Sequence, residues 1–367
     1  MENLRLGIIG LGLMGQAHAA HLLAGKVPRC LLSAVCDADP GKLAKFPHLA
    51  AFASVAEFLA SSPIDAVLIA SPHYSHTSVG VAALEAGLHV LVEKPISVHR
   101  ADAERLLAAH RHPRQVFAAM FNQRTDPYYR AIRQLVRGGE LGALRRINWT
   151  VTDWFRPRAY YASSPWRATW AGEGGGVLLN QAPHNLDLYQ WIFGQPQRVT
   201  GFCSFGRYHE IEVEDDVTAV FEHAEGHHGT FITSTGEAPG TNRLEIAADR
   251  GRLVYENDRL VWLRTDVSVD AFSRSTTEPF ATPPHREIVV PAEGHGGQHL
   301  EVLQNFVAAI LDGTPLIAPA AEGLHSVELA NAILLSAWTG QSVTLPIDGA
   351  HYARLLGERS GLPPARP

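Results

Sequence analysis

The sequence predicts an α/β fold in two parts: an N-terminal Rossmann domain built on a doubly wound parallel sheet, then an α+β domain with a large, mostly antiparallel open sheet. Three observations carry this expectation. A short apolar run leads into Gly10, Gly12 and Gly15 at GxGxxG spacing. Strand and helix patterns then alternate through the first third of the chain, and after Arg124 that rhythm gives way to β-rich segments separated by turns. A chain of 367 residues is also longer than one hydrophobic core usually grows. The expected domains are 1–124 and 125–367, with closing helices at 298–340.

Leu4–Ile9 reads as the first strand and 14–24 as the helix that follows the glycine turn, the context a dinucleotide-binding motif requires. Each glycine has a task. Gly10 permits the tight turn, Gly12 lets the backbone approach a pyrophosphate, and Gly15 lets helix and strand pack closely. Leu13 and Met14 lie where the helix start offers N–H groups to an anion. The second strand, 31–36, ends in Asp37, placed to accept from a ribose 2′-hydroxyl and to repel a 2′-phosphate. NAD is therefore expected rather than NADP; Ala38 follows where an arginine would favour the phosphate, although Lys42 is nearby. Strands at 66–70, His89–Val92 and 116–119, with helices at 75–86 and 101–110, continue towards a six-stranded sheet.

The apolar run from Leu6 to Met14, with Ala17-His18-Ala19 behind it, also has the outline of a secretion signal. It lacks the basic leading region, Glu2 is acidic, and cleavage would remove the first strand. No stretch approaches the roughly 18–20 apolar residues that a membrane span needs. A net charge of −6 without a Lys/Arg-rich run leaves no electrostatic footprint for nucleic acid. Cys30, Cys36 and Cys203 form no CxxC pair and no disulfide framework, so a reducing cytoplasm is expected. His223, His227 and His228 flank a glycine hairpin turn without zinc-type cysteines and are read as a solvated loop, with no metal expected.

Three further stretches occur in order: "HVLVEKPISV" around Glu93-Lys94-Pro95, "GGGVLLNQAPHNLDLYQWIFG" from Gly174 to Gly194, and a tail with "LQNFVAAILDGTP" and "LANAILLSAWTGQSVTLP". Together they resemble the Gfo/Idh/MocA family, the glucose-fructose oxidoreductase and inositol dehydrogenase-like oxidoreductases, over nearly the whole chain. The resemblance implies hydride transfer between NAD and a secondary hydroxyl of a sugar, glycoside or cyclitol. It carries the catalytic lysine onto Lys94 and the catalytic histidine onto His184, while Asn180 stands where many relatives have aspartate. It also implies that Ser71, Pro72, His76, Glu93, Lys94 and Gln123 line the cofactor path, and that Trp166 and Arg167 approach the nicotinamide end. Two other outcomes stay open on resemblance: an NAD-retaining hydrolase or lyase that oxidises its substrate transiently, and a silent NAD-sensing regulator. A homodimer or homotetramer through the C-terminal sheet is expected.

The chemistry suits these residue types. Ligands of open α/β sheets bind beyond the strand carboxyl ends, where Lys94 lies. Its ammonium can steady an alkoxide or, desolvated, exchange the proton; the alternative is a solvated lysine at a strand end. His184 is expected to titrate near neutrality and pass the proton to water, unless Asp187 one turn later satisfies it. Asn180 carries no charge, so it can neither raise the histidine's pKa nor pair ionically with Lys94, but it can position sugar hydroxyls.

In the second domain, strands are expected at 145–152, 197–205, 216–223, 229–234, 243–247 and Gly251–Glu256. Between the first two runs a loop carries Trp154, Tyr160, Tyr161, Trp166 and Trp170 among Arg156, Arg158 and Arg167. Such aromatics either form platforms for the apolar faces of sugars or pack the domain junction. The arginines leave room for an anionic sugar. The substrate-binding set is taken as Lys94, Arg124, Trp154, Tyr160, Asn180 and His184. The Pro-rich segment 278–286 reads as a surface connection, and the terminal "PPARP" as a frayed tail.

Overall fold

The computed structural model describes residues 3–361, so the terminal "PPARP" lies outside the described residues. The first sheet contains β1 (Leu4–Ile9), β2 (Cys30–Cys36), β3 (Ala50–Phe52), β4 (Ala66–Ile69), β5 (His89–Val92) and β6 (Phe117–Ala119). Its order is β3-β2-β1-β4-β5-β6 and every pairing is parallel. Strands buried on both faces read as continuous apolar runs, and β4, with all four residues of AVLI buried, is the plainest case. Strand order reverses between β1 and β4, which opens a crevice at the carboxyl ends of those strands. β3 gave no sequence signal, because a three-residue edge strand reading AAF has no resolvable period.

Helices Leu13–Leu23, Val55–Ser61, His73–Glu85 and Arg100–Ala109 cover the sheet. One face buries Phe58, Ile69, Val90 and Leu106. The other buries Leu6, Leu68 and Leu91 together with Val302, Leu303 and Phe306 of the helix Gln298–Asp312. A segment near the end of the chain therefore completes the core of its beginning.

The second sheet has nine strands: β7 (Leu144–Val151), β8 (Arg198–Phe205), β9 (Glu214–Glu222), β10 (His228–Ser234), β11 (Asn242–Ala248), β12 (Gly251–Glu256), β13 (Arg259–Thr265), β14 (His285–Val289) and β15 (Val343–Thr344). Their order is β14-β13-β12-β11-β7-β10-β9-β8-β15, with β7 and β10 parallel and the other pairs antiparallel. Inward-facing Val217, Ala219 and Phe221 of β9 show the period of two expected for a sheet with one covered face. The Pro-rich connection is shorter than the sequence suggested, since His285 and Arg286 already pair within β14.

A buried ion pair ties the two layers together. Arg124, 1% exposed, donates from Nε and Nη2 to both carboxylate oxygens of Asp187 at 2.7 and 2.6 Å, and from Nη1 to Glu322 at 2.5 Å. Asp187 lies on the helix Pro183–Phe193 and is fully buried. Removing one partner strands a desolvated charge, so Arg124→Ala is expected to cost about 3–5 kcal/mol, whereas an apolar replacement of both partners costs less. Urea unfolding midpoints at unchanged m-value check this; equal losses for the single and double variants would count against it.

Candidate functional site

The site begins at the glycine turn. Gly10 has φ +93°, and a Cβ on it would lie 2.5 Å from the backbone nitrogen of Ser71. A Cβ on Gly15 would lie 1.9 Å from the carbonyl oxygen of Gly10, so only glycine lets this helix approach its strand. A Cβ on Gly12 would meet nothing within 4 Å. Gly12 caps the helix Leu13–Leu23 without a side-chain hydrogen bond, and Leu13 is 81% exposed. The helix start, including Leu13 and Met14, thus leaves N–H groups facing open space, a cradle that fits a pyrophosphate.

Asp37 follows β2 directly. Its carboxylate accepts from the backbone N–H groups of Leu11 at 2.7 Å and Asp39 at 2.9 Å. Lys42, the residue that left room for a 2′-phosphate, instead donates to both Asp37 oxygens at 3.3 Å. The glycine cradle and this anchored carboxylate together fit NAD.

At the neighbouring strand ends, Pro72 caps the helix His73–Glu85, and Ser71 Oγ accepts from Ser75 at 2.6 Å. His76 does not line the crevice as expected. It is 1% exposed, and its ring sits 2.7 Å from each of the carbonyl oxygens of Ser71 and Pro95, so it holds the ends of β4 and β5 at a fixed separation. Glu93 is buried against His18, with Oε1 2.7 Å from Nε2. Burial alone would raise this carboxyl, but the His18 hydrogen bond and the positive potential of His18, His299 and Lys94 bring it down to about 2.

Lys94 Nζ donates to the backbone carbonyl of Asn180 at 2.7 Å, a contact that no property of the asparagine side chain could have revealed. Burial lowers the Lys94 pKa; Arg156 and Arg167 push the same way, while Glu93 and Glu173 oppose. The Asn180 amide is held at both ends. Nδ2 donates to Glu173 Oε1, and Oδ1 accepts from the Tyr160 hydroxyl at 3.4 Å.

His184 opens the helix Pro183–Phe193, where Pro183 occupies the first turn. It does not titrate near neutrality. Burial, then the charges of Lys94 and His299, hold its pKa well below the ordinary value, so the imidazole is neutral at physiological pH. Nor is it satisfied by Asp187, which is committed to Arg124. Its Nδ1 is buried, with no hydrogen-bond partner among the described residues.

The aromatic loop divides between both expectations. Trp170 packs on Trp338 and Phe205, and Tyr161 bonds Thr235, so these serve the core. Tyr160 and Trp166 border the site, bridged by the Arg167 guanidinium, which lies 4.4 Å from one ring centroid and 4.7 Å from the other. Trp154 Nε1 donates to Asn185, the neighbour of His184, at 3.2 Å. Two expected site residues stand elsewhere. Arg124 is consumed by its buried ion pairs, and Gln123 opens on a separate cavity of ≈ 480 Å³ shared with Asp126, Tyr129 and Asp153.

The histidines at the β9–β10 turn also depart from expectation. His228 is exposed, but His223 and His227 are buried and stacked, with centroids 4.2 Å apart and planes 12° apart, and Tyr189 engages His223 at 2.9 Å. Ligand atoms of His223, Glu225 and His227 lie within 4.8 Å of one another, and among the described residues neither ring nitrogen of His227 has a hydrogen-bond partner. Sequence reasoning missed His18, His73, Glu173 and His299. Glu173 directly precedes the three-glycine run and His18 lies three residues beyond Gly15, but only the folded chain brings them to the site.

Comparison with known proteins agrees with this architecture. Residues 4–121 match the model of an oxidoreductase family with an NAD-binding Rossmann fold, and residues 129–254 match the GFO/IDH/MocA C-terminal domain. The chain belongs to the GFO/IDH/MocA family. Like other members of that family, it is an oxidoreductase with an NAD-binding Rossmann domain. Myo-inositol 2-dehydrogenase from Thermotoga maritima is 25% identical over 93% of this chain and 98% of its own. Levoglucosan dehydrogenase from Pseudarthrobacter phenanthrenivorans is 24% identical over 94% and 99%. The WlbA dehydrogenase from Bordetella pertussis, solved with NADH and UDP-GlcNAcA, shares the fold at TM-score 0.80 and 23% identity, over 95% of this chain and all of that one.

Loss of the Asp37 carboxylate should be selective. Asp37→Ala is expected to weaken NADH binding about tenfold, corresponding to a charge-assisted hydrogen bond of roughly 1.5 kcal/mol, with NADPH binding unchanged or improved. Fluorescence titration with both nucleotides reads the ratio; an unaltered ratio contradicts the ribose role.

Proposed function

We propose that the protein is an NAD-dependent dehydrogenase acting on a secondary hydroxyl of a sugar, glycoside or cyclitol, with Lys94, Asn180 and His184 at the reacting centre. The observation that carries this reading is the Lys94 Nζ contact with the Asn180 carbonyl, which brings the tip of β5 against the turn leading into the His184 helix. The inositol and levoglucosan relatives support a polyhydroxylated substrate.

A bound NAD supplies the hydride acceptor, and the rest of the task belongs to the chain. The substrate hydroxyl must lose its proton as hydride leaves the same carbon, and a base must sit within hydrogen-bond reach. His184, a neutral imidazole, is that base, and its low pKa hands the proton on to water. Lys94 presents an ammonium to the developing oxyanion in a site shielded from water. Tyr160 and Trp166 offer ring surface to the apolar CH face of the substrate, next to the Asn180 amide.

Reduced-nicotinamide absorbance, followed while aldoses, glycosides and inositols are offered with NAD and NADP separately, tests this reading; no turnover with any polyol would overturn it. Lys94→Ala is expected to cut kcat by about 10²–10⁴ while leaving NADH binding intact. The pH profile is expected to be flat through 6.5, because His184 must be neutral and its pKa lies lower. Activity should fall on the alkaline side, where Lys94 loses its proton below lysine's ordinary value. An acid limb centred near 6.5 would exclude His184 as the base.

A further inference from the structure

We propose that Glu173 is the anionic member of this site, a positioning residue that orients the Asn180 amide and supplies the negative charge facing Lys94. The proposal rests on the dehydrogenase reading of Lys94 and His184 and extends it to a residue outside both motifs.

Glu173 is 2% exposed, and both carboxylate oxygens point at named donors. Oε2 accepts from the backbone N–H of Ala168 at 2.6 Å, and Oε1 accepts from Asn180 Nδ2. Burial raises the Glu173 carboxyl's pKa, while the Ala168 N–H, the Asn180 amide and the charges of Arg167 and Lys94 pull it back down; both of its hydrogen-bond partners are N–H donors, the partners an ionised carboxylate takes. The Asn180 amide is placed with Nδ2 towards Glu173 and Oδ1 towards the Tyr160 hydroxyl. Asn180 brings no charge of its own, and Glu173 supplies the charge through the same hydrogen bond.

The electrostatic surroundings of Lys94 give that charge its effect. On its own strand end stands Glu93; from the aromatic loop come Arg156, Arg167 and Glu173. His73, His184 and His299 face it from three helices, each with its own pKa lowered, burial being the largest cause. At the alkaline pH where Lys94 titrates those imidazoles are neutral, so two guanidiniums oppose the ammonium and two carboxylates favour it. Glu93 is also bound to His18, which leaves Glu173 as the carboxylate tied to Asn180. Glu214 is a further buried carboxyl near Glu173; its Oε1 accepts from the N–H groups of Gly176 and Leu178, and burial pushes its pKa up to about 7.

Glu173→Gln keeps an oxygen that can accept from Asn180 but removes the charge, so it separates electrostatics from geometry. The Lys94 titration midpoint, read by competitive acetylation with acetic anhydride and mass spectrometry across pH, is expected to fall by about one unit. The double variant E173Q/N180D exchanges carboxylate and amide across the same hydrogen bond and should return the midpoint close to the original. Glu173→Asp keeps the charge and should shift it less than E173Q, which guards against misreading a folding defect. An unmoved midpoint in E173Q, or no recovery in the exchanged pair, overturns the proposal. The acetylation readout needs no substrate, so a silent polyol screen would dispose of the dehydrogenase reading without deciding the role of Glu173. Once a substrate is found, the alkaline limb of its kcat/KM profile should move with the same variants.

Discussion

The buried pair of Arg124 and Asp187 is the constraint on which the site depends. Taking two charges out of water is costly, and the cost is offset only when geometry and extra hydrogen bonds are good. Both conditions hold: the contact is bidentate, Glu322 takes a third donor, and the carbonyl of Ile317 lies 3.3 Å from the same guanidinium. Arg124 stands just beyond β6 in the first sheet's chain, whereas Asp187 lies one turn into the His184 helix. Their bond fixes where that helix begins relative to the strand ends. Arg100 does the same from another side, pairing with Glu328 while its N–H donates to Asn331. Lys94 can meet the Asn180 carbonyl because these pairs leave the two layers little freedom to slide.

Within the frame they create, charges alternate. Glu93 borders Lys94, and Lys94 lies near Glu173, whose other neighbour is Arg167. Such an alternation is what keeps ionised groups tolerable in a poorly solvated region. It also explains the neutral His184. A second cation next to Lys94 and beyond the reach of water has nothing to stabilise it, so the imidazole gives up its proton first. The resulting pair of a neutral base and an ammonium is asymmetric before any substrate arrives.

Much of this was legible in the sequence, and the reasons differ by element. The strands β1, β4 and β5 announced themselves because burial on both faces forces continuous apolar runs, and the glycines because close approach admits nothing larger. Lys94 and His184 were singled out through the Glu93-Lys94-Pro95 and Gly174–Gly194 stretches. The errors share one cause. Arg124, His76 and His227 were judged by residue type, yet their partners are 63, 19 and 4 residues away, and burial depends on those partners. Glu173 and His18 were overlooked for the same reason. A carboxylate before three glycines and a histidine on a helix have no distinguishing local pattern; only the fold sets the first near Lys94 and the second against Glu93. β14 was hidden differently, since an exposed edge strand reading HREIV lacks the alternation that marks a half-buried one.

The hydrogen bonds around Asn180 also determine what remains for a substrate. Arg167 donates to the Tyr160 oxygen at 2.7 Å, so the Tyr160 proton is free to go to Asn180 Oδ1. Asn180 in turn gives an Nδ2 proton to Glu173 and its backbone carbonyl to Lys94. The chain of donors runs one way, from guanidinium to carboxylate, and the asparagine's strong contacts are taken up by the protein. An ammonium has three N–H bonds, and the Asn180 carbonyl occupies one. Two remain, and the ammonium lies near enough to His184 for its charge to lower that imidazole's pKa. On the dehydrogenase reading proposed above, those two N–H bonds are what the ammonium has left for a substrate oxygen.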